Sequence, residues 1–193
     1  MNPEGYELRK TADGKGDGVF ATRTFKVGEL VMVGVIERRV NENHSHATQV
    51  SPFGYVQLGG LGSKANHSCD PNCGIRLNEA EAPNLIARRN ILAGEEITFD
   101  YAMRNYSIEH FPSRCRCSAS NCRGTVTGWK DLPAASKVAY DGFVAPYLIE
   151  IDRMALLHGR MSGVAGTSSS HPPKAVGGLT STARSSEGKG SRR

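Results

Sequence analysis

The sequence lacks a long apolar run and an even set of cysteines. Its longest apolar stretch, LVMVGVI at residues 30–36, is much shorter than the roughly 20 residues that span a bilayer. The N-terminal MNPEGYELRK has no apolar segment of the kind found in secretory signals. Five cysteines stand at metal-ligand spacing, and no CxxC motif supports a redox protein. We therefore expect no membrane association and folding in a reducing intracellular compartment, either the cytoplasm or a eukaryotic nucleus.

The net charge of the chain comes entirely from its last 35 residues. Residues 159–193 contain six basic residues and one acidic residue, which gives +5, the net charge of the whole chain. Residues 1–158 therefore contain 18 basic and 18 acidic residues. Nucleic-acid binding usually requires a basic face. A neutral body argues against this role for residues 1–158.

Short apolar runs between turn residues predict a mostly β fold made of small sheets. They are rich in Val, Ile, Phe and Tyr, and they lie at residues 6–8, 19–21, 30–36, 53–58, 74–77, 85–87 and 97–101. After residue 129, DLPAASKVAY and the helical spacing of apolar residues from Pro146 predict two helices. Residues 159–193 have no aromatic residue and are rich in Gly and Ser, so we expect them to be disordered.

Three closely spaced cysteines predict a zinc site that needs a distant fourth ligand. Cys115, Cys117 and Cys122 lie within eight residues, whereas structural zinc takes four ligands. The segment NHSCDPNC at 66–73 offers Cys69 and Cys73, and spacing alone does not choose between them. Zinc bound in this way would join two remote loops and create a pocket between them.

Three further segments contain candidate binding residues, and each also has an ordinary structural interpretation. GKGDGVFATR at 14–23 is either a glycine-rich hairpin turn or a backbone that approaches a ligand closely. Its polar flank and the absence of a helical pattern after it argue against a dinucleotide-binding motif. NHSCDPNC is either turn chemistry or a polar loop that needs a partner. GEEITFDY at 94–101, taken alone, is a turn and a strand that ends in a buried tyrosine.

The order of these segments resembles that of the SET-domain protein lysine methyltransferases with a post-SET zinc loop. The resemblance covers residues 6–124 and includes NHSCxPN, GEEITFDY, and CxCxxxxC followed by Arg-Gly. It implies a β-clip-like fold in which residues 66–73 are threaded under the loop containing residues 94–101, a knot-like crossing. It also implies a SET domain at 1–112 and a post-SET zinc loop at 113–128, and the two helices predicted from the sequence pattern would form an extension at 129–158. The implied activity is transfer of methyl groups from S-adenosylmethionine to a protein lysine.

The resemblance also implies a role for each motif residue. The turn that cradles S-adenosylmethionine, mostly through its backbone, would consist of Lys15, Gly16, Asp17, Gly18 and Val19. Asn66 and His67 would hold its adenine and amino-acid parts, and Tyr101 would be the catalytic tyrosine and a cofactor contact. Phe99 and Tyr101 would line the lysine channel, with Phe at position 99 typical of di- or trimethylation. Structural zinc would be bound by Cys69, Cys115, Cys117 and Cys122, which leaves Cys73 as a spare thiol.

Some features depart from the family pattern and concern the substrate more than the reaction. No cysteine-rich segment precedes residue 6, the insert between residues 36 and 53 is short, and Ser63-Lys64-Ala65 replaces Arg-Phe-x. We expect a monomer that acts on a histone or another protein. The alternative is a catalytically weak or inactive SET-like module that binds proteins. We also expect Trp129 and the helices after it to cover the cofactor site.

Overall fold

The computed structural model describes residues 4–12, 14–110 and 114–164, and for residues 158–164 it describes the backbone alone. Within these residues the fold is mostly β, as predicted, and neither helix is long and apolar enough to cross a membrane. The predicted disorder of the tail falls outside the described residues from position 165 onward. The strands are β1 (Tyr6–Lys10), β2 (Asp17–Ala21), β3 (Leu30–Met32), β4 (Ile36–Val40), β5 (Thr48–Ser51), β6 (Gly54–Leu58), β7 (Asn66–His67), β8 (Cys73–Leu77), β9 (Pro83–Ala87) and β10 (Thr98–Phe99). The helices are α1 (Ala134–Ala139) and α2 (Pro146–Val164).

The described strands form four small sheets, in the orders β1-β2, β3-β9-β8, β4-β6-β5 and β7-β10. The first three are antiparallel, and the fourth is a parallel pair. The segments FKVGELV at 25–31 and ILAGEEITF at 91–99, which share a Gly-Glu turn, also meet, because Phe25 and Ile91 exchange backbone hydrogen bonds of 2.9 Å in each direction. Each segment turns at a glycine with positive φ, 83° at Gly28 and 90° at Gly94, a conformation that glycine adopts without strain.

The parallel pair β7-β10 brings two of the predicted motifs side by side. Asn66 is paired with Thr98, and His67 with Phe99. The side chain of Asn72 fastens the same segments, because its amide donates to Glu96 O at 2.8 Å and its oxygen accepts from Thr98 N at 2.9 Å. Residues 66–73 therefore lie against residues 94–101, as expected. The threading of one under the other stays a prediction.

The apolar run at 30–36 forms two strands instead of one. The break lies at Gly34, whose N–H donates to Asn84 Oδ1 at 2.9 Å and whose carbonyl accepts from Asn78 Nδ2 at 3.0 Å. A Cβ at Gly34 would lie 2.4 Å from the carbonyl oxygen of Pro83. At Gly34, the close contact with the Pro83 backbone and the two side-chain hydrogen bonds take the place of strand pairing. The chain therefore leaves the sheet of β3 here and joins another sheet as β4.

The C-terminal extension is part of the main core. Trp129, Tyr140 and Leu148 are buried together with strand residues such as Val19 and Ile97. Both predicted helices are present, although α1 begins after Pro133, with Pro133 itself at the N-cap. Helix α2 continues past residue 158, where the sequence pattern placed the end of the extension.

The sheet β4-β6-β5 has a small apolar cluster of its own and is attached to the rest of the molecule mainly by polar bonds. The cluster consists of Val50, Val56 and Leu58. Gln49 N donates to Asn105 Oδ1 at 2.9 Å, and Gln49 Oε1 accepts from Tyr106 N at 2.8 Å. Gln49 O accepts from the hydroxyl of Tyr147 on α2 at 2.5 Å. The buried Gln49 therefore links this sheet both to the segment that follows GEEITFDY and to the extension.

Replacing Gly128 with alanine is expected to destabilise the fold where the extension returns to the core. The new Cβ would lie 2.3 Å from the carbonyl oxygen of Tyr106, a backbone atom that a rotamer change cannot move away. Overpacking of this kind typically costs about 1–3 kcal/mol of unfolding free energy. We expect a lower Tm for Gly128→Ala in thermal denaturation. Gly62→Ala is the control, since its Cβ would meet Met32 Sδ at an ordinary 3.6 Å, and equal Tm values for the two variants would contradict the prediction.

Candidate zinc and cofactor sites

Four cysteine sulfurs form a cluster with the dimensions of a zinc site. The Sγ atoms of Cys69, Cys115, Cys117 and Cys122 all lie within 4.8 Å of one another. The Cys69 and Cys115 sulfurs are 4.0 Å apart, close to the edge of about 3.8 Å expected for a tetrahedron with Zn–S bonds of about 2.3 Å. Four thiols and no other ligand type at this spacing fit structural zinc.

Backbone N–H groups support the cluster from outside. Cys69 N points to Cys117 Sγ at 3.5 Å, Arg123 N to Cys69 Sγ at 3.4 Å, and Gly124 N to Cys122 Sγ at 3.4 Å. Burial raises the pKa of the Cys117 thiol, but N–H donors and neighbouring thiols outweigh it and lower that pKa to about 7. Burial raises the pKa of Cys115 to about 11, so a bound cation would complete the deprotonation of the set.

Cys69 rather than Cys73 completes the cluster. Cys73 begins β8, is fully buried, and lies outside the group of four sulfurs. Burial raises the pKa of its thiol to about 12, which makes it an unreactive core residue. The fold therefore favours Cys69, the residue that the family resemblance implied, and its binding of zinc stays a prediction.

His67 connects the cysteine cluster to the GEEITFDY motif. Tyr101 N donates to His67 Nδ1 at 3.4 Å, so the ring proton of the neutral form belongs on Nε2. That Nε2 lies 3.4 Å from Cys69 Sγ, where it can donate to a thiolate. Burial lowers the pKa of His67 to about 4, although Asp100 opposes this effect, so the ring is neutral at pH 7.

The carboxylate of Asp100 is completely buried and is contacted by three different segments. Arg123 Nη2, from the cysteine loop, lies 2.7 Å from Asp100 Oδ2, an ion pair without the alignment of a good hydrogen bond. The hydroxyl of Tyr140, from the extension, donates to the same oxygen at 2.9 Å. Asp100 Oδ1 accepts from Ala102 N at 3.1 Å and lies 3.4 Å from His67 Nδ1.

A cavity of about 280 Å³ lies between the glycine-rich turn, the NHSC motif and the cysteine loop. Its walls include Lys15, Asn66, His67, Tyr101 and Val126, together with residues 114–117. The cysteine loop thus forms one side of a pocket, as predicted for a metal-joined pair of loops. Polar groups from several segments on a partly apolar wall suit a small polar ligand.

Glu96 fixes two of the polar groups of this cavity. Its Oε2 lies 2.9 Å from Lys15 Nζ, and its Oε1 accepts from Asn66 Nδ2 at 2.8 Å. The Asn66 amide also donates to Asp17 O at 2.9 Å. A Cβ at Gly18 would lie 2.6 Å from Glu96 Oε1, so glycine is needed there for the carboxylate to approach.

A second cavity, of about 650 Å³, meets the first at Lys15, Asn66 and Tyr101, which line both. It extends past Lys64 and Arg104 to the sheet β4-β6-β5. The hydroxyl of Tyr101 donates to Ala65 O at 3.2 Å. Phe99 is buried against Tyr101, with ring centroids 5.1 Å apart. Tyr101 therefore stands where two ligands in neighbouring cavities would meet.

The structure assembles most of the predicted site residues but not all of them. Val19 lies fully buried in the core, and its carbonyl accepts from Ile97 N, so its side chain lines neither cavity. Trp129 does not cover the cofactor cavity as expected, because its ring is buried and its Nε1 donates to Asp152 at 2.8 Å. Residues 114–117 and Val126 provide that wall instead.

Sequence reasoning missed four charged residues that organise the site: Glu96, Asp100, Arg104 and Arg123. Glu96 and Asp100 stand inside GEEITFDY, and Arg123 in the Arg-Gly after the last cysteine, so the motifs did mark three of them. Arg104 lies outside every motif, and no signal in the sequence singled it out.

Comparison with known proteins identifies a SET domain within the chain. Residues 16–102 match the SET domain. A histone-lysine N-methyltransferase, H3 lysine-36 specific, from Yarrowia lipolytica is 33% identical over 168 residues, which cover 77% of this chain and 22% of that protein. The protein of the same name from Aspergillus oryzae is 31% identical over 125 residues, covering 58% of this chain and 13% of that protein.

A solved structure is also similar to this chain. A crystal structure of KRYPTONITE in complex with mCHH DNA, H3(1-15) peptide and SAH has a TM-score of 0.51 and 25% sequence identity, and the match covers 63% of this chain and 29% of that one. The chain thus contains a SET domain that is homologous to those of histone-lysine methyltransferases. It spans only 13% to 22% of the length of the two relatives described above.

Replacing Cys69 is expected to abolish metal binding, whereas replacing Cys73 is not. Cys69→Ser removes one of four ligands and leaves three thiols that cannot close a tetrahedral shell. Inductively coupled plasma mass spectrometry should find about one zinc per chain in the unmodified protein and in Cys73→Ala, but much less in Cys69→Ser. Retention of zinc by Cys69→Ser together with loss by Cys73→Ala would reverse the assignment.

Proposed function

We propose that this protein is an S-adenosylmethionine-dependent protein-lysine N-methyltransferase. The observation that carries the proposal is the meeting of two cavities at Tyr101, one walled by the cysteine loop and one open toward the sheet β4-β6-β5. A methyl donor in the first and a peptide in the second would place their reacting atoms at that junction. The names of the relatives, and the SAH and H3(1-15) peptide in the KRYPTONITE crystal, support the same assignment.

The smaller cavity fits the chemistry of the donor. Asn66 and the backbone around Lys15 and His67 offer hydrogen-bonding groups for adenine and for an amino-acid moiety, held in place by Glu96. The four-cysteine site fixes the cavity wall at residues 115–117, so zinc would have a structural role here and none in the chemistry. S-adenosylmethionine, when bound, supplies an electrophilic methyl group on a positively charged sulfur.

The residues of this chain would contribute alignment, exclusion of water and proton control. A lysine has an ordinary pKa of about 10.4, and its ammonium has no lone pair, so it must lose a proton before it can attack. Burial beside the ring of Tyr101 disfavours the charged form. The neutral nitrogen then forms the new N–C bond as the S–C bond breaks, and the released proton passes to water. Holding the two groups in line accounts for most of such a rate enhancement.

The hydroxyl of Tyr101 is the group best placed to orient the amine. It donates to Ala65 O, and a phenol oxygen can also accept a hydrogen bond from an amine or contact a polarised methyl group. Burial raises the pKa of Tyr101, and the phenol therefore stays protonated at pH 7 to 9. Phe99 behind it leaves room that a second hydroxyl would occupy, which supports di- or trimethylation as the outcome.

A protein lysine is the proposed substrate, and histone H3 is the first candidate because the relatives are named for it. Modification of a histone would place the protein in a nucleus. We further propose that it acts as a monomer, since both cavities are formed by one chain.

The experiment that tests the function is transfer of labelled methyl groups from S-adenosylmethionine to proteins of a lysate and to purified histones. Mass spectrometry of the labelled bands should find methylated lysines and give their degree of methylation. Binding of SAH in calorimetry without any transfer would favour the alternative, a SET-like interaction module. The absence of both SAH binding and methyl transfer would refute the proposed function and the alternative.

Tyr101→Phe is expected to fold normally and to lose most turnover. Removing the hydroxyl takes away the group that orients the amine, and comparable losses of one positioned polar group cost about 100-fold or more in kcat. The measurement is the rate of methyl transfer at saturating S-adenosylmethionine, with circular dichroism as the folding control. A rate within a factor of two of the unmodified protein would remove Tyr101 from the mechanism.

Glu96→Gln is expected to weaken cofactor binding more than it lowers kcat. The amide retains an oxygen for Asn66 but loses the charge that holds Lys15, so the cavity is less well ordered before the ligand arrives. We expect a rise of several-fold in the Kd for SAH by calorimetry. Glu95→Gln is a matched control, because Glu95 pairs with Arg89 on the exposed surface. Equal Kd values for the two variants would contradict the prediction.

A further inference from the structure

Arg104 places a fixed positive charge against the aromatic wall at which the two cavities meet. Its guanidinium carbon lies 4.7 Å from the ring centroid of Phe99 and 5.4 Å from that of Tyr101. Arg104 and Tyr101 also line the same cavity of about 650 Å³, and both remain half-buried because they face it. A lysine that reached Tyr101 through this cavity would therefore pass close to a cation.

The charge of Arg104 is not neutralised by the surrounding protein. In the parts of the chain that the structure describes, no carboxylate lies within salt-bridge distance of it. Its Nε is buried and has no hydrogen-bond partner among the same residues. Burial lowers the pKa of its guanidinium, with the phenols of Tyr101 and Tyr147 acting in the opposite direction. Arginine nevertheless stays protonated in proteins at neutral pH.

Two other charges of this cavity are compensated by ion pairs. Lys15 is paired with Glu96 at 2.9 Å, and Asp17 with Lys10 at 2.6 Å. Arg104 differs from them in stacking directly on the ring of Tyr101. The titratable side chains that line this cavity, besides Tyr101 and Arg104, are Lys15, Asp17, Glu37, His46, Lys64 and His110.

We propose that Arg104 is a positioning residue that favours the neutral, nucleophilic form of the substrate lysine at Tyr101. This inference rests on the proposed lysine methylation. A like charge roughly 10 Å away in a partly dry cavity destabilises an ammonium, and at an effective dielectric constant of about 20 the effect amounts to about one pH unit. The proton that the ammonium loses passes to water in the cavity, and the lone pair is then available to the methyl group.

The proposal predicts a change in the pH dependence of the reaction and not simply a loss of rate. The rate of methyl transfer to the principal protein that the unmodified enzyme labels in a lysate is measured from pH 6.5 to 10 at saturating S-adenosylmethionine. In Arg104→Gln the rising limb of the profile should move to higher pH by about one unit. The variant should be about tenfold slower than the unmodified enzyme at pH 7.5, with most of this difference gone at pH 10.

Two further variants test the charge itself. Arg104→Lys restores a cation and should return the rising limb toward its original position. Arg89→Gln removes an exposed arginine that pairs with Glu95, and its profile should coincide with that of the unmodified enzyme. If Arg104→Gln does not bind SAH in calorimetry, Arg104→Met, which suits a buried position better, provides the same comparison.

The outcomes separate this inference from the proposed function. Slower transfer by the neutral variants at every pH, with an unmoved rising limb, would mean that Arg104 only supports the structure and would overturn the inference alone. An unmodified enzyme that labels no protein would overturn the proposed function and the inference together. A shifted limb in the neutral variants, reversed by Arg104→Lys, would support both.

Discussion

The site depends on the ion pair and hydrogen bonds made by the buried carboxylate of Asp100. A charge with no access to water is strongly destabilising unless its partners are fixed around it. Those partners are Arg123 from the cysteine loop and Tyr140 from the extension, while Ala102 N donates to the other carboxylate oxygen. Because Arg123 and Tyr140 lie in segments other than that of Asp100, satisfying this one carboxylate requires the three segments to be assembled together.

The cysteine cluster has a complementary role. The loop at 114–124 has few apolar residues of its own, and hydrogen bonds from Cys69 N and Arg123 N link its sulfurs and backbone to the NHSC segment. The same loop is a wall of the smaller cavity. Loss of the metal would therefore act on the binding cavity directly, through Cys69 and the neighbouring His67, while the apolar core of the strands stayed packed.

Motif chemistry could be predicted from the sequence, and contacts between remote segments could not. The three clustered cysteines, NHSC and GEEITFDY pointed to residues that the structure brings together, because their spacing is unusual. The choice of Cys69 over Cys73 needed the fold, since the two thiols are four positions apart. Strand β7 has two residues and exists only because β10 lies beside it. Trp129 was expected at the site, but burial of its large ring in the core is more favourable than partial exposure beside a cavity. Arg104 became a candidate only when the structure placed its guanidinium over the rings of Phe99 and Tyr101.

The loose attachment of the sheet β4-β6-β5 has a consequence for how such a protein diversifies. This sheet has its own apolar cluster, is linked to the remainder through Gln49, and contributes Glu37, Gln57 and Leu58 to the larger cavity. Its outward positions can mutate without disturbing Asp100, the sulfur cluster or Tyr101. Surface properties can thus evolve on one part of the molecule while selection preserves the junction of the two cavities on another.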